Sequence, residues 1–139
     1  MLLAVERVAL LRHVDIFART PGRVLAGIAH VLEEVDFSAG ATLMEAGAVE
    51  DWLFILVEGE VEVVRPDRRL RLYAGSVVGE MEVLDSRPRS ATITAVTPVR
   101  AFRLSRDAFD EAVRMRPEIA LGVIGELIAK LRETHERTG

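Results

Sequence analysis

From Val35 to Leu104 the apolar residues fall into short runs with a period near two, and turn residues separate the runs. Ser38-Ala39-Gly40 and Ala46-Gly47-Ala48 bracket a run at Ala41–Met44. Trp52–Val57 is apolar almost throughout, the pattern of a strand buried on both faces. Glu58-Gly59 turns the chain into Glu60–Val64, where charged and apolar residues alternate as on a half-exposed strand. Pro66-Asp67-Arg68-Arg69 makes a hairpin tip before Leu70–Tyr73, and Thr97-Pro98 divides the last two runs, Thr92–Val96 and Val99–Leu104. Many short strands with frequent turns imply a small sandwich or barrel.

Helical spacing frames this region on both sides. Val5, Val8 and Leu11 share a face of a helix over Leu2–Leu11, and Val14–Phe17 reads as a short apolar loop. Thr20 is expected to cap a second helix with Pro21 at its first position; it carries Val24, Leu25, Ile28 and Val31 and gives way near Glu33. Ser105 caps a helix that begins Arg106-Asp107, and Pro117 starts the last one. There Ala120, Ile124, Leu127 and Leu131 form one stripe beside Leu121 and Ile128, while Gly122 and Gly125 permit close approach of another backbone. Such a stripe either covers the chain's own sheet or meets a partner.

The 139 residues suit one domain with a single core. Half are hydrophobic and 29% charged, as in a soluble globular protein, and a net charge of −4 argues against a general nucleic-acid surface. With no cysteine, disulfides and thiolate metal sites are excluded. The apolar start is broken by Glu6 and Arg7 too soon for a signal peptide or membrane span, so a cytoplasmic location without membrane contact is expected. His13, His30 and His135 lie on or beside the helices, and none falls within the strand region, so no metal site is expected there. Nor does a serine–histidine–acid arrangement or a catalytic cysteine occur. No catalytic residue is expected: the sequence reads as a binding protein, not an enzyme.

What it binds is suggested by the stretch from Val78 to Thr92. A turn at Gly79 leads into one short helix, Pro88 stops it, and Arg89 leads into a strand. A glycine ahead of a helix start lets a ligand approach backbone N–H groups that have no internal partner, which makes an anion site. Arg89 adds a fixed charge with two parallel donors for phosphate oxygens. Glu80 beside them is a poor phosphate ligand and a good acceptor for a sugar hydroxyl. One acid for ribose and one arginine for phosphate describe a nucleotide pocket. Strand alternation is expected to turn Ser90 and Thr92 to a common face.

Gly79-Glu80-Met81, Leu84 and Pro88-Arg89-Ser90-Ala91-Thr92 resemble, without a gap, the phosphate-binding cassette of the cyclic nucleotide-binding domain family. Phe37-Ser38-Ala39-Gly40, Glu45-Ala46-Gly47, Leu53–Gly59 and Tyr73-Ala74-Gly75 fall where that family keeps its glycine turns. The resemblance implies a mostly β fold: a double-stranded, jelly-roll-like β-roll with helices at both ends and one short internal cassette helix. One domain over 1–139 would then comprise N-terminal helices at 1–32, the roll at 33–104 with the cassette at 78–92, and C-terminal helices at 105–137. By the same resemblance Glu80 holds the ribose 2′-hydroxyl, while Arg89 and the backbone of Gly79, Glu80, Met81 and Glu82 hold the cyclic phosphate. Ser90 and Thr92 join the expected nucleotide-binding residues; in the family a hydroxyl at the Ser90 position can help bind guanine, and some receptors with serine there bind cyclic AMP. An ungapped run from Pro117 puts Thr134 where bacterial receptors touch the adenine.

The expected ligand is therefore cyclic AMP or cyclic GMP, with no further cofactor, relayed through the C-terminal helices. Those helices pair across a two-fold axis in the resembling receptors, so homodimerisation is expected. Direct nucleic-acid binding is not, because nothing after Gly139 remains for a helix-turn-helix, and an effector domain would belong to a longer chain. Glu82 departs from the family pattern, which has a small residue there. The alternative is a degenerate interaction or dimerisation module that keeps the fold without the nucleotide.

Overall fold

The computed structural model describes residues 4–80, 84, 85 and 87–138. In chain order it contains α1 (Ala4–Leu11), a 3₁₀ turn (Asp15–Phe17), α2 (Gly22–Val31), β1 (Glu33–Phe37), β2 (Thr42–Met44), β3 (Trp52–Glu58), β4 (Val61–Val64), β5 (Arg69–Leu72), β6 (Val77–Val78), β7 (Thr92–Ala95), β8 (Val99–Ser105), α3 (Arg106–Met115) and α4 (Glu118–Thr138). Contacts gather these into two compact units: Leu32–Arg106, and Met1–Val31 with Asp107–Gly139.

The first unit is the roll. Two antiparallel four-stranded sheets, ordered β1-β8-β3-β6 and β2-β7-β4-β5, hold all eight strands. Leu43, Phe54, Leu56, Val61, Val63 and Ile93 are among the residues that fill the core. Against it packs the half-buried Phe37, which meets Phe54 edge-on with ring centres 5.5 Å apart. β3 is buried on both faces: Phe54 and Leu56 belong to that core, and Leu53 and Ile55, on the opposite face, are equally hidden. Its unbroken apolar run therefore matches its burial. β6, two residues long, was not expected; it pairs Val78 with Phe54 and Val77 with Ile55. Two residues are too few to show a period.

β6 closes the first sheet immediately before Gly79, and β7 opens in the second sheet at Thr92. The cassette is thus the crossing from one sheet to the other.

In the helical unit the expected helix over Leu2–Leu11 is α1, with Leu2 and Leu3 outside the described residues. Val14–Phe17 is not an open loop. Asp15–Phe17 makes a 3₁₀ turn that buries Ile16 and Phe17, and the Phe17 ring lies 6.2 Å from Phe109 of α3. The Thr20 hydroxyl does not cap α2: it is buried and has no hydrogen-bond partner among the described residues. Instead Pro21 takes the capping position, its carbonyl accepting from Val24 and Leu25 at 2.9 and 3.0 Å.

Thr20 is drawn towards α4, where a Cβ on Gly122 would stand 2.7 Å from its oxygen and 3.5 Å from the Arg19 carbonyl. A Cβ on Gly125 would meet the Arg19 side chain, which reaches Glu126 at 3.3 Å. The close approach that these glycines permit is made by the chain's own Arg19-Thr20. On α4 itself Ile119 and Val123 are buried, whereas Leu121, Ile124 and Leu131 are 70, 51 and 69% exposed.

Candidate functional site

The site begins where β6 ends. Gly79 has φ +84°, a region open to glycine at no steric cost. A Cβ there would lie 2.6 Å from Arg89 Nη1 and 3.0 Å from the Trp52 carbonyl oxygen, so no larger residue fits without displacing the arginine. Helical backbone follows at Glu80 and is found again at Leu84. Met81 and Glu82 lie outside the described residues.

Arg89 is held from several sides. Its backbone N–H donates to Ala48 O at 2.8 Å, and its carbonyl accepts from Gly47 N at 2.9 Å. Its side chain is only 1% exposed; Nη2 donates to the Trp52 carbonyl at 2.6 Å and Nε reaches Glu50 Oε1 at 3.5 Å. A guanidinium carries five donors and a fixed charge, and an anion in the recess in front of it can take two of those donors in parallel.

In front of it is a recess of about 150 Å³. Gly79, Glu80, Arg89 and Ser90 line one side, and Met44, Val63, Val78 and Ile93 give it an apolar floor. The volume is below the roughly 300 Å³ usual for a ligand site, enough to seat part of a ligand. Arg65 also lines it and was missed in the sequence, although it continues the inward alternation of Val61 and Val63. Its Nη1 donates to Ser90 Oγ at 3.2 Å.

The remaining expected residues are placed differently. Thr92 is not among the lining residues; its hydroxyl accepts from Ala46 N at 3.0 Å and so ties down the turn between β2 and β3. β7 begins at Thr92, so Ser90 precedes that strand, yet burial alternates through it: Arg89, Ala91 and Ile93 are buried, while Ser90 is exposed and Thr92 half-buried. Thr134 belongs to the helical unit, exposed on α4, with its hydroxyl donating to Lys130 O at 3.1 Å.

A hollow of about 400 Å³ beside Asp36, Glu58, Pro98 and Arg100 is larger, but its charges satisfy each other. Arg100 Nε donates to Asp36 at 3.1 Å, and that bond, with the charges of Asp36, Glu58 and Glu34, pushes the guanidinium above its ordinary pKa. Among the described residues no group of three or more histidine or acidic side chains is placed to hold a metal ion, and no helix is long and apolar enough to cross a membrane.

The profile of the cyclic nucleotide-binding domain matches residues 34–116, which takes in the whole cassette. The chain belongs to that family. Among curated relatives, a CRP-like cAMP-activated global transcriptional regulator of Mycobacterium tuberculosis is 32% identical over 132 residues, covering 91% of this chain and 59% of the regulator. A cAMP-dependent protein kinase regulatory subunit of Aspergillus fumigatus is 38% identical over 87 residues, 60% of this chain and 21% of the subunit. Among solved structures, the N-terminal domain of a transcriptional regulator from Streptomyces coelicolor superposes with a TM-score of 0.83 at 30% identity, over 91% of this chain and 95% of that one. This cyclic nucleotide-binding domain thus spans about three-fifths of the mycobacterial regulator and about a fifth of the kinase subunit. Both relatives are regulatory proteins by name.

Proposed function

We propose that this domain is a sensor that binds a 3′,5′-cyclic nucleotide in the recess between Gly79 and Ser90. The observation that carries the reading is the buried Arg89, fixed by backbone bonds on both sides and facing a recess that also holds Glu80. Arg89 pairs with the phosphate oxygens, and the backbone N–H groups of Gly79 and Glu80 add donors at the helix start. Glu80 accepts from the ribose 2′-hydroxyl. Seating the phosphate draws the cassette inward, and the C-terminal helices relay the change. α4 pairs with a second copy through its exposed stripe, and an effector carried elsewhere on a longer cytoplasmic chain reads the result.

Titration calorimetry with cyclic AMP and cyclic GMP tests this directly. Trp52 gives a second readout: it is the only tryptophan, and its carbonyl accepts from Arg89. Saturable heat together with a change in Trp52 fluorescence supports the sensor. Silence in both at millimolar nucleotide points to a domain kept for assembly, with Arg89 serving the fold.

A further inference from the structure

Arg65 is the last residue before the two-residue turn Pro66-Asp67, which its backbone N–H closes by donating to Arg68 O at 2.9 Å. Side chains alternate along a strand, and on β4 it is Val61 and Val63 that are buried, so Arg65 continues the inward face. Register carries it to the start of the neighbouring strand: Val63 pairs with Ile93 and Val64 with Thr92, which sets Arg65 beside Ala91 and Ser90. Its Nη1 holds Ser90 Oγ, and its Nε is buried with no hydrogen-bond partner among the described residues. The arginines of the next strand differ. Arg71 reaches Glu60 and Glu62 at 3.1 and 3.6 Å, and Arg69 reaches Glu62 at 3.4 Å, all on the surface. An inward arginine in the wall of a recess, with a donor left over, is costly without an acceptor to meet it.

We propose that Arg65 is a second ligand-binding arginine of this recess, one that takes acceptor atoms of the nucleotide alongside Ser90. The role rests on the reading of the recess as a nucleotide pocket. A guanidinium has five donors and no acceptor, which limits what it can meet. Exocyclic phosphate oxygens qualify, and so do N7 of either purine and O6 of guanine; the amino group of adenine does not. Ser90 is neutral between these, being donor and acceptor at once.

Calorimetry on the whole chain with cyclic AMP and cyclic GMP tests the proposal, using Arg65→Ala, Arg65→Lys, Ser90→Ala and the Arg65→Ala/Ser90→Ala pair. Arg65→Ala weakens binding about tenfold or more, as for loss of a charge-assisted bond. Arg65→Lys recovers only part of this, since it keeps the charge and loses the planar fork. The loss persists when Ser90 is already alanine. An equal loss for both nucleotides places Arg65 on an acceptor they share, a phosphate oxygen or the purine N7, and a loss confined to cyclic GMP places it on the guanine O6; each supports the proposal. Affinity within twofold of the parent in a folded Arg65→Ala chain overturns it. So does a loss that vanishes in the Ser90→Ala background, because Arg65 would then merely position the serine. If the alanine variant fails to fold, as judged by circular dichroism, the lysine variant decides: full parental affinity for both ligands overturns the role. A parent chain that binds neither nucleotide overturns the nucleotide reading itself, and this role with it.

Discussion

The roll and the helical unit treat their apolar residues in opposite ways. In the roll, β3 hides four consecutive residues, Leu53 to Leu56, and the buried polar side chain is an arginine that faces a recess. On α4 only Ile119 and Val123 are hidden in full, while Leu121, Ile124, Leu127, Ile128 and Leu131 are 38–70% exposed. A sheet pair can saturate its own core, because every strand has a facing sheet to pack on. A single long helix cannot wrap its apolar surface around itself, and that exposed stripe is the surface through which we propose that α4 meets a second copy. The contrast is between a unit that buries its apolar strands within itself and a helix that leaves its apolar stripe in solvent.

The sharpest way to break this contrast is Arg89→Ala. It removes the one buried cation of the recess and is expected to lower cyclic nucleotide affinity about a hundredfold, near the upper range for a charge-assisted pair. The far-ultraviolet circular dichroism should not change. Parental affinity in the calorimeter would take the chemistry away from the roll. Next in size is Gly79→Ala. It forces a side chain into a left-handed backbone and against Arg89 Nη1 and the Trp52 carbonyl, at a cost of about 1–3 kcal/mol. Chemical denaturation should show that loss of stability, and affinity should fall with it as Arg89 is displaced.

The helical unit is tested by Ile124→Asp with Leu131→Asp. Both positions are solvent-facing, so the monomer's thermal midpoint should hardly move, while self-association in sedimentation should weaken about tenfold or more. A parent chain that stays monomeric at every concentration, with and without nucleotide, would remove the contrast between the units.

How far each unit was legible in the sequence follows the same divide. Most strands were visible because alternation and turn residues are local signals, and β3 could be read from its apolar run alone; the two-residue β6 could not. The order β1-β8-β3-β6 was not, since pairing between residues as distant as Glu33 and Arg103 leaves no local trace. Gly79, Glu80, Arg89 and Ser90 were legible as a cassette and do line one recess. Arg65 was overlooked because it looks like the first residue of a turn; only the parity of Val61 and Val63 betrays its direction. Thr20 misled for a tertiary reason. A capping residue by type, it loses that role to the packing opposite Gly122, which no local rule contains.

The smallest expected effect sharpens the comparison most, because it lies two residues from the largest. Arg87 lies closer to Asp85 than Arg89 does to Glu50: its Nε is 2.8 Å from the carboxylate, against 3.5 Å between Arg89 and Glu50. Distance alone would rank Arg87 as the more important. Its side chain is 79% exposed, however, and that of Asp85 69%, whereas Arg89 is 1% exposed. In water the attraction is screened, and ordering two long side chains offsets most of what remains, so such pairs contribute about 0–1 kcal/mol. Arg87→Ala should therefore leave cyclic nucleotide affinity within about twofold and stability within about 0.5 kcal/mol of the parent. Calorimetry and denaturant titration on the Arg87→Ala and Arg89→Ala chains side by side make the test. A comparable loss of affinity in both would mean that the cassette acts through its summed positive charge. A loss in Arg89→Ala alone means that it acts through one buried, oriented guanidinium.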